Sequence, residues 1–316
     1  KSWEVITDNY GRQATEVVVS RLRDSLNQRG TLDVIRHGTE LLGLRQPLAM
    51  AQFKPALAMN PDIMARYSAN RLRVVRQVRY SLLNENCIDL VLFLNGIPVA
   101  TVELKTDFTQ SVNDAVDQYR FDRIPNPKGQ APEPLLSFPG GALVHFAVST
   151  DEVRMTTRLN GAETVFLPFN LGDDGAAGNP VNPKGCRTAY LWEQVWQRDS
   201  WLEILGRYLV GKRNDKKQLD SIIFPRFHQL DATRKLQAAV LADGVGGKYL
   251  IQHSAGSGKT NSIAWSAHFL ADLHDANHKK VFDTVLVVSD RNVIDSQLQD
   301  AIFGFERTTG VVATIK

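Results

Sequence analysis

Apolar residues along this chain recur at two different periods, and the changes of period mark out its elements. Over 12–28, Val17, Val18, Leu22 and Leu26 repeat at helical spacing with charge between them, and Gly30 is a fitting stop. A second helix or partial helix is predicted over 31–43. Over 70–81 the period becomes two: Leu72, Val74, Arg76 and Val78 alternate with Arg73, Val75, Gln77 and Arg79, which predicts a strand. Residues 87–107, CIDLVLFLNGIPVATVELKTD, read as two apolar strands joined at Asn95-Gly96, a dipeptide that tolerates positive φ. Helical spacing returns over 110–122, with Val112, Ala115, Val116 and Tyr119 on one side. Strands are predicted at 142–149 and 163–169, and 172–185 holds too much Gly and Pro for either element. Residues 191–210 are helical, with Trp192, Trp196 and Trp201 expected in the core. The basic run 212–217 reads as a linker or a solvated end.

From Phe227 the pattern changes character. A helix carrying Leu236, Ala239 and Val240 precedes an apolar strand over 248–252, the segment HSAGSGKTNS, a helix over 262–274 and another strand over 281–289. Strand and helix in alternation predict a parallel α/β sheet with right-handed crossovers. The expected organisation is a first domain over 1–190, a helical spacer over 191–220 and a second domain over 221–316.

Composition narrows the class without naming it. The chain has 316 residues, 43% hydrophobic and 22% charged, which is ordinary for a globular protein long enough for two cores. A formal charge of +3 agrees with a polyanionic partner but does not require one. Cys87 and Cys186 are far apart and outside any metal-spaced cluster, which favours a reducing compartment, the cytoplasm. No apolar run reaches bilayer length and no signal peptide is evident, so no membrane partner is expected. A start at Lys1 rather than Met fits a piece of a larger protein.

Three residues interrupt the apolar hairpin: Asp89, Glu103 and Lys105. Glu103 and Lys105 project to one side of their strand and Val102 and Leu104 to the other. Carboxylates among Val, Leu and Phe are costly to bury without metal or partners. Asp89 and Glu103, with the Leu104 carbonyl, would hold one or two Mg²⁺ through hard oxygens, and Lys105 would orient or deprotonate the attacking water. Geometry decides whether they can. With a two-residue Asn95-Gly96 turn, Asp89 opposes Val102 and faces away from Glu103. With a three-residue loop and a bulge at Gly96, Phe93 pairs with Ile97, Asp89 opposes Thr101, and Glu103 is diagonal on the same face. A shared metal therefore predicts an odd connection or a bulge around Gly96, whereas a surface hairpin has no such preference. Glu16 and Glu40 could each support a metal from a helix, although solvated helix faces are their ordinary use, and His37 reads as structural. Arg71, Arg73, Arg76 and Arg79 could line a phosphate path or an exposed strand face.

Gly256-Ser257-Gly258-Lys259-Thr260 lies between a predicted strand and a predicted helix, the setting of a phosphate-binding loop. Lys259 would hold the β- and γ-phosphates of ATP, and Thr260 a Mg²⁺. His253 stands where the general pattern has its first glycine. Asp290-Arg291 and Gln297 read as a nucleic-acid-contacting loop at the end of the last strand.

In their order, the blocks LRVVRQVRY, IDLVLFLNGIPVATVELK, DAVDQYR, HFAVSTDEVRMTT, FHQLDATRK, HSAGSGKT and VVSDRNVIDSQ are together more specific than any one of them. Across nearly its whole length the chain resembles the N-terminal portion of the restriction (motor) subunit of type I restriction–modification enzymes. The resemblance implies a PD-(D/E)xK endonuclease domain with Asp89, Glu103 and Lys105 in the catalytic places. It implies that Gln118 and Tyr119 contact DNA from the following helix, in addition to Arg291 of the loop read above, and that Gln229 reads adenine. It implies a partial RecA-like domain of the superfamily 2 helicases, with the remaining helicase motifs beyond residue 316. Mg²⁺ and ATP are the expected cofactors. Double-stranded DNA and the modification (methyltransferase) and specificity subunits are the expected partners. The alternative is an ATP-binding DNA scaffold, or a helicase of another restriction or repair system, whose hairpin carboxylates are structural.

Overall fold

The computed structural model describes residues 2–81, 83–106, 108, 110–289, 292–305 and 312–313, in two units: 1–54 with 61–224, and 55–60 with 225–316. The first unit opens with helices α1 (Ser2–Tyr10), α2 (Ala14–Arg29) and α3 (Thr31–His37). Ile6, Ala14 and Leu41 are buried together there, with Val17 and Val18 packed against them. The helix predicted over 31–43 stops at His37 because Thr39 leaves to exchange backbone hydrogen bonds with Leu48 (3.0 and 2.8 Å). A short helix unseen in the pattern, α4 (Pro61–Ala69), leads into the sheet.

The period-two segments join in one mixed sheet, in the order β1 (Leu72–Arg79), β2 (Cys87–Leu94), β3 (Ile97–Leu104), β4 (Val144–Val148), β5 (Val153–Thr156) and β6 (Leu167–Pro168). Neighbours are antiparallel except β3 and β4. A parallel pair needs a crossover. Here it is built on α5 (Val112–Asp117) and a π-helical turn, Gln118–Asp122. Ser111 and Asp114 fix the start of α5 as a capping box, the Asn113 N–H donating to the Ser111 hydroxyl and the Ser111 N–H to the Asp114 carboxylate. Val112, Ala115, Val116 and Tyr119 of the crossover bury against Ile88 and Val91 of β2 and Ala147 of β4. The helical face predicted over 110–122 therefore covers the sheet. The strand predicted over 163–169 shrinks to two residues, and β5 was too short to show alternation.

The expected spacer over 191–220 belongs to the first unit instead. A π-turn (Leu191–Val195), α6 (Arg198–Glu203) and a second π-turn (Ile204–Tyr208) replace the single helix. Trp196 and Trp201 lie edge-on or tilted to Phe146 at 5.6 and 6.4 Å, and Phe224 meets Phe146 at 5.9 Å. Burying such a ring is worth roughly 2–3 kcal/mol, so detachment of this segment is unfavourable. Trp192 is the exception and is exposed. The basic run over 212–217 is no linker: it forms the tip of the hairpin β7 (Val210–Arg213) and β8 (Leu219–Ile223), which the Thr157 hydroxyl ties to the body by donating to the Ile222 carbonyl at 2.8 Å.

The second unit contains α7 (Phe227–Asp243), α8 (Lys259–Ala271) and α9 (Asn292–Phe305). The parallel α/β sheet expected here is absent among the described residues: 248–252 and 281–289 pair with nothing as strands. A strand exists only when its backbone groups are paired, whatever its propensity. Their apolar side chains lie open accordingly, with Leu250 91% and Val288 80% exposed. Among the described residues no helix is long and apolar enough to cross a membrane.

Candidate functional site

The β2–β3 hairpin resolves the question of its faces. Leu94 pairs with Ile97 across a two-residue Asn95-Gly96 turn in which both residues have positive φ (51° and 87°). The register then shifts: Phe93 faces Pro98 but Leu92 faces Ala100, so Val99 is an extra, bulged residue. Beyond the bulge Val91 opposes Thr101 and Leu90 opposes Val102, and one further step along this register sets Asp89 against Glu103. The predicted convergence occurs through a bulge, but the bulge is at Val99 rather than Gly96, and the carboxylates are directly opposed rather than diagonal.

Each is held by groups from elsewhere in the chain. Asp89 accepts the Leu104 N–H on one oxygen (2.8 Å) and the Gln77 amide on the other (3.0 Å). Gln77 sits across β1 from Asp89 with φ +49°, a rare conformation for a residue with a side chain and one that concentrates at functional sites. Glu103 is 0% exposed. Its Oε1 accepts from Arg123 Nε at 2.7 Å, while its Oε2 is buried without a hydrogen-bond partner. Arg123 also donates to the Cys87 carbonyl at 2.8 Å and lies over the Tyr80 ring. Burial pushes the Glu103 carboxyl up to about 8, with Arg123 opposing the rise and Asp89 adding to it. Burial works against the charge on Arg123, but Glu103 more than offsets it, and the guanidinium is raised.

Beneath Glu103 lies a buried polar cluster. The Thr101 hydroxyl bonds both the Tyr119 hydroxyl (2.8 Å) and His145 Nδ1 (2.7 Å). Burial lowers His145 to about 3 and, with the Glu103 charge, raises Tyr119 well above its ordinary value. Tyr119 is 0% exposed, so it braces the sheet from within rather than reaching DNA. Gln118 is half-buried with its Oε1 unpartnered. Lys105, on the Glu103 side of its strand, donates its N–H to the Val148 carbonyl (2.8 Å). Its ammonium helps hold down the Asp114 carboxyl, which the Ser111 backbone and hydroxyl hydrogen bonds depress first.

Two opposed carboxylates, one with a bare buried oxygen, supply the hard-oxygen donors that Mg²⁺ takes from protein, the ion otherwise keeping water and substrate phosphate. The donor set fits such an ion. Among the described residues no group of three His, Cys, Asp or Glu is gathered, and Glu16 and Glu40 are exposed, so neither joins the pair.

In the second unit, Gly258 (φ +80°) precedes the first residue of α8, Lys259. Lys259 Nζ folds back on the loop, donating to the carbonyls of Ser254 (2.8 Å) and His253 (3.2 Å). Gln229 is buried rather than free to read a base. It donates to the Gly258 and Ser257 carbonyls (2.9 and 3.3 Å) and accepts the Arg226 N–H (2.9 Å). The His228 ring stacks edge-on to His253 at 4.9 Å. Asp290 and Arg291 lie outside the described residues; Gln297 lies on α9 rather than in a loop.

The family described as "Type I restriction enzyme R protein N terminus" matches residues 2–164, just over half of the chain. A Methanocaldococcus jannaschii protein named "Putative type I restriction enzyme MjaVIIIP endonuclease subunit" is 25% identical over 240 residues, 71% of this chain. The alignment spans only 20% of that protein's length. The chain belongs to the family of N-terminal regions of type I restriction enzyme R proteins.

Proposed function

We propose that the first unit is a Mg²⁺-dependent DNA endonuclease of a PD-(D/E)xK type, and that the second binds ATP as part of a DNA translocase. The observation that carries the nuclease reading is the Val99 bulge, which brings Asp89 opposite Glu103 and leaves Glu103 Oε2 buried and unpartnered. A bound Mg²⁺ supplies Lewis-acid polarisation of the scissile phosphate and a water of lowered pKa. Asp89 and Glu103 would hold the ion; Gln77 and the Leu104 N–H fix Asp89, and Arg123 fixes Glu103. Lys105 carries positive charge on the same side of β3, where it orients the attacking water and offsets negative charge building on the phosphate. In the second unit Lys259 and the first turn of α8 would hold nucleotide phosphates, with Thr260 toward the metal. On this reading the chain acts on double-stranded DNA alongside modification and specificity subunits.

The competing reading, a scaffold with a structural hairpin, draws on the Arg123–Glu103 bond, which by itself provides Glu103 with a counter-charge. Plasmid cleavage by the chain assembled with its partner subunits separates the two. Lys105→Ala and Glu103→Gln are each expected to lower Mg²⁺-dependent cutting about 100-fold or more. Undiminished cutting by both would leave the hairpin structural. Lys259→Ala is expected to weaken ATP binding, and unchanged affinity would remove the phosphate loop from the proposal.

A further inference from the structure

β1 is the edge of the sheet, bonded to β2 on one side and to no strand on the other among the described residues. Its charge is of one sign. From Ile63 to Asn84 the chain has five arginines and no Asp or Glu. Arg66 bonds to Gln52, and Arg79 pairs with Glu85 at 2.6 Å. Arg71, Arg73 and Arg76 are exposed and have no acidic partner among the described residues. Arg73 stands opposite Phe93 and Arg76 opposite Leu90, and the next residue, Gln77, is bonded to Asp89. Alternation sets Arg73 on the Asp89 face of the strand and Arg76 on the other, so the free guanidinium groups flank the open edge of β1 from both faces.

An open edge can also take a strand from another protein, and Val74 and Val75 are 59% and 42% exposed. The backbone argues against that occupant. The left-handed turn at Gln77 interrupts the row of outward N–H and C=O groups that an added strand would need. Charge argues for a polyanion. At about 3.3 Å per residue, Arg71 to Arg76 covers roughly 16 Å. Duplex DNA presents one phosphate charge per about 1.7 Å of its axis, so each guanidinium can meet one. The planar fork of arginine matches phosphate oxygens in pairs.

We propose that β1 is a phosphate rail on which Arg71, Arg73 and Arg76 bind the backbone of duplex DNA beside the Asp89–Glu103 site. The inference rests on the nuclease reading for what happens to that DNA, but not for the binding itself. The test is the salt dependence of binding to a labelled duplex, with Ca²⁺ replacing Mg²⁺ so that nothing is cut. Arg71→Gln, Arg73→Gln and Arg76→Gln combined should make the slope of log K against log salt shallower by about 2–3, near 0.9 per lost phosphate contact. A control triple at the exposed Arg12, Arg23 and Arg45 should leave it unchanged. An unchanged slope in the β1 triple, with its unfolding midpoint at the wild-type value, overturns the rail, as does an equal drop in the control. Loss of a protein partner with the DNA slope intact would assign the edge to protein docking and likewise overturn it. A slope that falls as expected stands even if Glu103→Gln still cuts, a result that counts against the nuclease reading alone.

Discussion

The hairpin carboxylates and the 256–260 loop are held by different means. Asp89 and Glu103 are fixed by groups distant in sequence: Gln77 on β1, the Leu104 N–H on β3 and Arg123 after the crossover. The loop is held mostly by itself, with Lys259 bonded to carbonyls five and six residues before it and α7 supplying Gln229. The first arrangement belongs to the tertiary structure and cannot survive its loss. The second is largely local and exposed. A site of the first kind is rigid before any ligand arrives, whereas one of the second kind has bonds that a phosphate can replace one for one.

The sharpest way to break this contrast is to remove one group from each. Glu103→Ala strands the Arg123 guanidinium in a nearly closed site and is expected to cost about 3–5 kcal/mol. Lys259→Ala, at an exposed side chain, should stay within about 0.5 kcal/mol. Hydrogen exchange resolves the two, reading protection over β3 for the first variant and over α8 for the second. Equal losses would mean that the sites do not differ as described.

A second test uses pH. The Glu103 carboxyl is raised in the fold to about 8, so folding favours its protonated form. Its contribution is complete below its ordinary value near 4.5 and is lost as pH rises toward 8. His145 has the opposite sense: lowered to about 3, it contributes above its ordinary value of 6.5 and loses that as pH falls. The first unit should therefore be most stable in mildly acid solution and decline by a few kcal/mol toward pH 8 in EDTA. Urea midpoints across this range check it, and Glu103→Gln should flatten the alkaline limb. A limb unchanged by Glu103→Gln would show that the buried carboxyl is not its source.

The same contrast explains what the sequence disclosed. The loop at 256–260 is a contiguous string, and the chemistry proposed for it rests on that string alone; the strands expected around it are unpaired because pairing is a property of neighbours. The hairpin was a weak string with strong geometry. Alternation placed Glu103 and Lys105 on one side, and the need for a bulge could be deduced, but Val99 has nothing in its side chain to mark it as the bulged residue. Gln77 could have been found once β1 was registered against β2, since it falls across from Asp89. Arg123 could not. It reaches Glu103 from the end of a π-turn, whose one-residue excess rotates everything after it by about 100° relative to an α-helix.

The most local effects are at two glycines. Gly96 and Gly258 both have positive φ (87° and 80°), where a Cβ costs about 1–2 kcal/mol. At Gly96 an added Cβ meets nothing, so Gly96→Ala should cost that strain alone, and Gly96→Asn less, since Asn tolerates this region. At Gly258 the Cβ would stand 2.6 Å from Gln229 Nε2. That atom is the end of a flexible side chain, but its bonds to the Ser257 and Gly258 carbonyls hold it in place. Gly258→Ala should therefore lose part of those bonds as well, about 0.5–1.5 kcal/mol each, and loosen the loop against α7. Exchange protection at the start of α8 should fall in Gly258→Ala and stay constant in Gly96→Ala. If both variants lose only the backbone strain, Gln229 is a bystander and the 256–260 loop is held by its own residues alone.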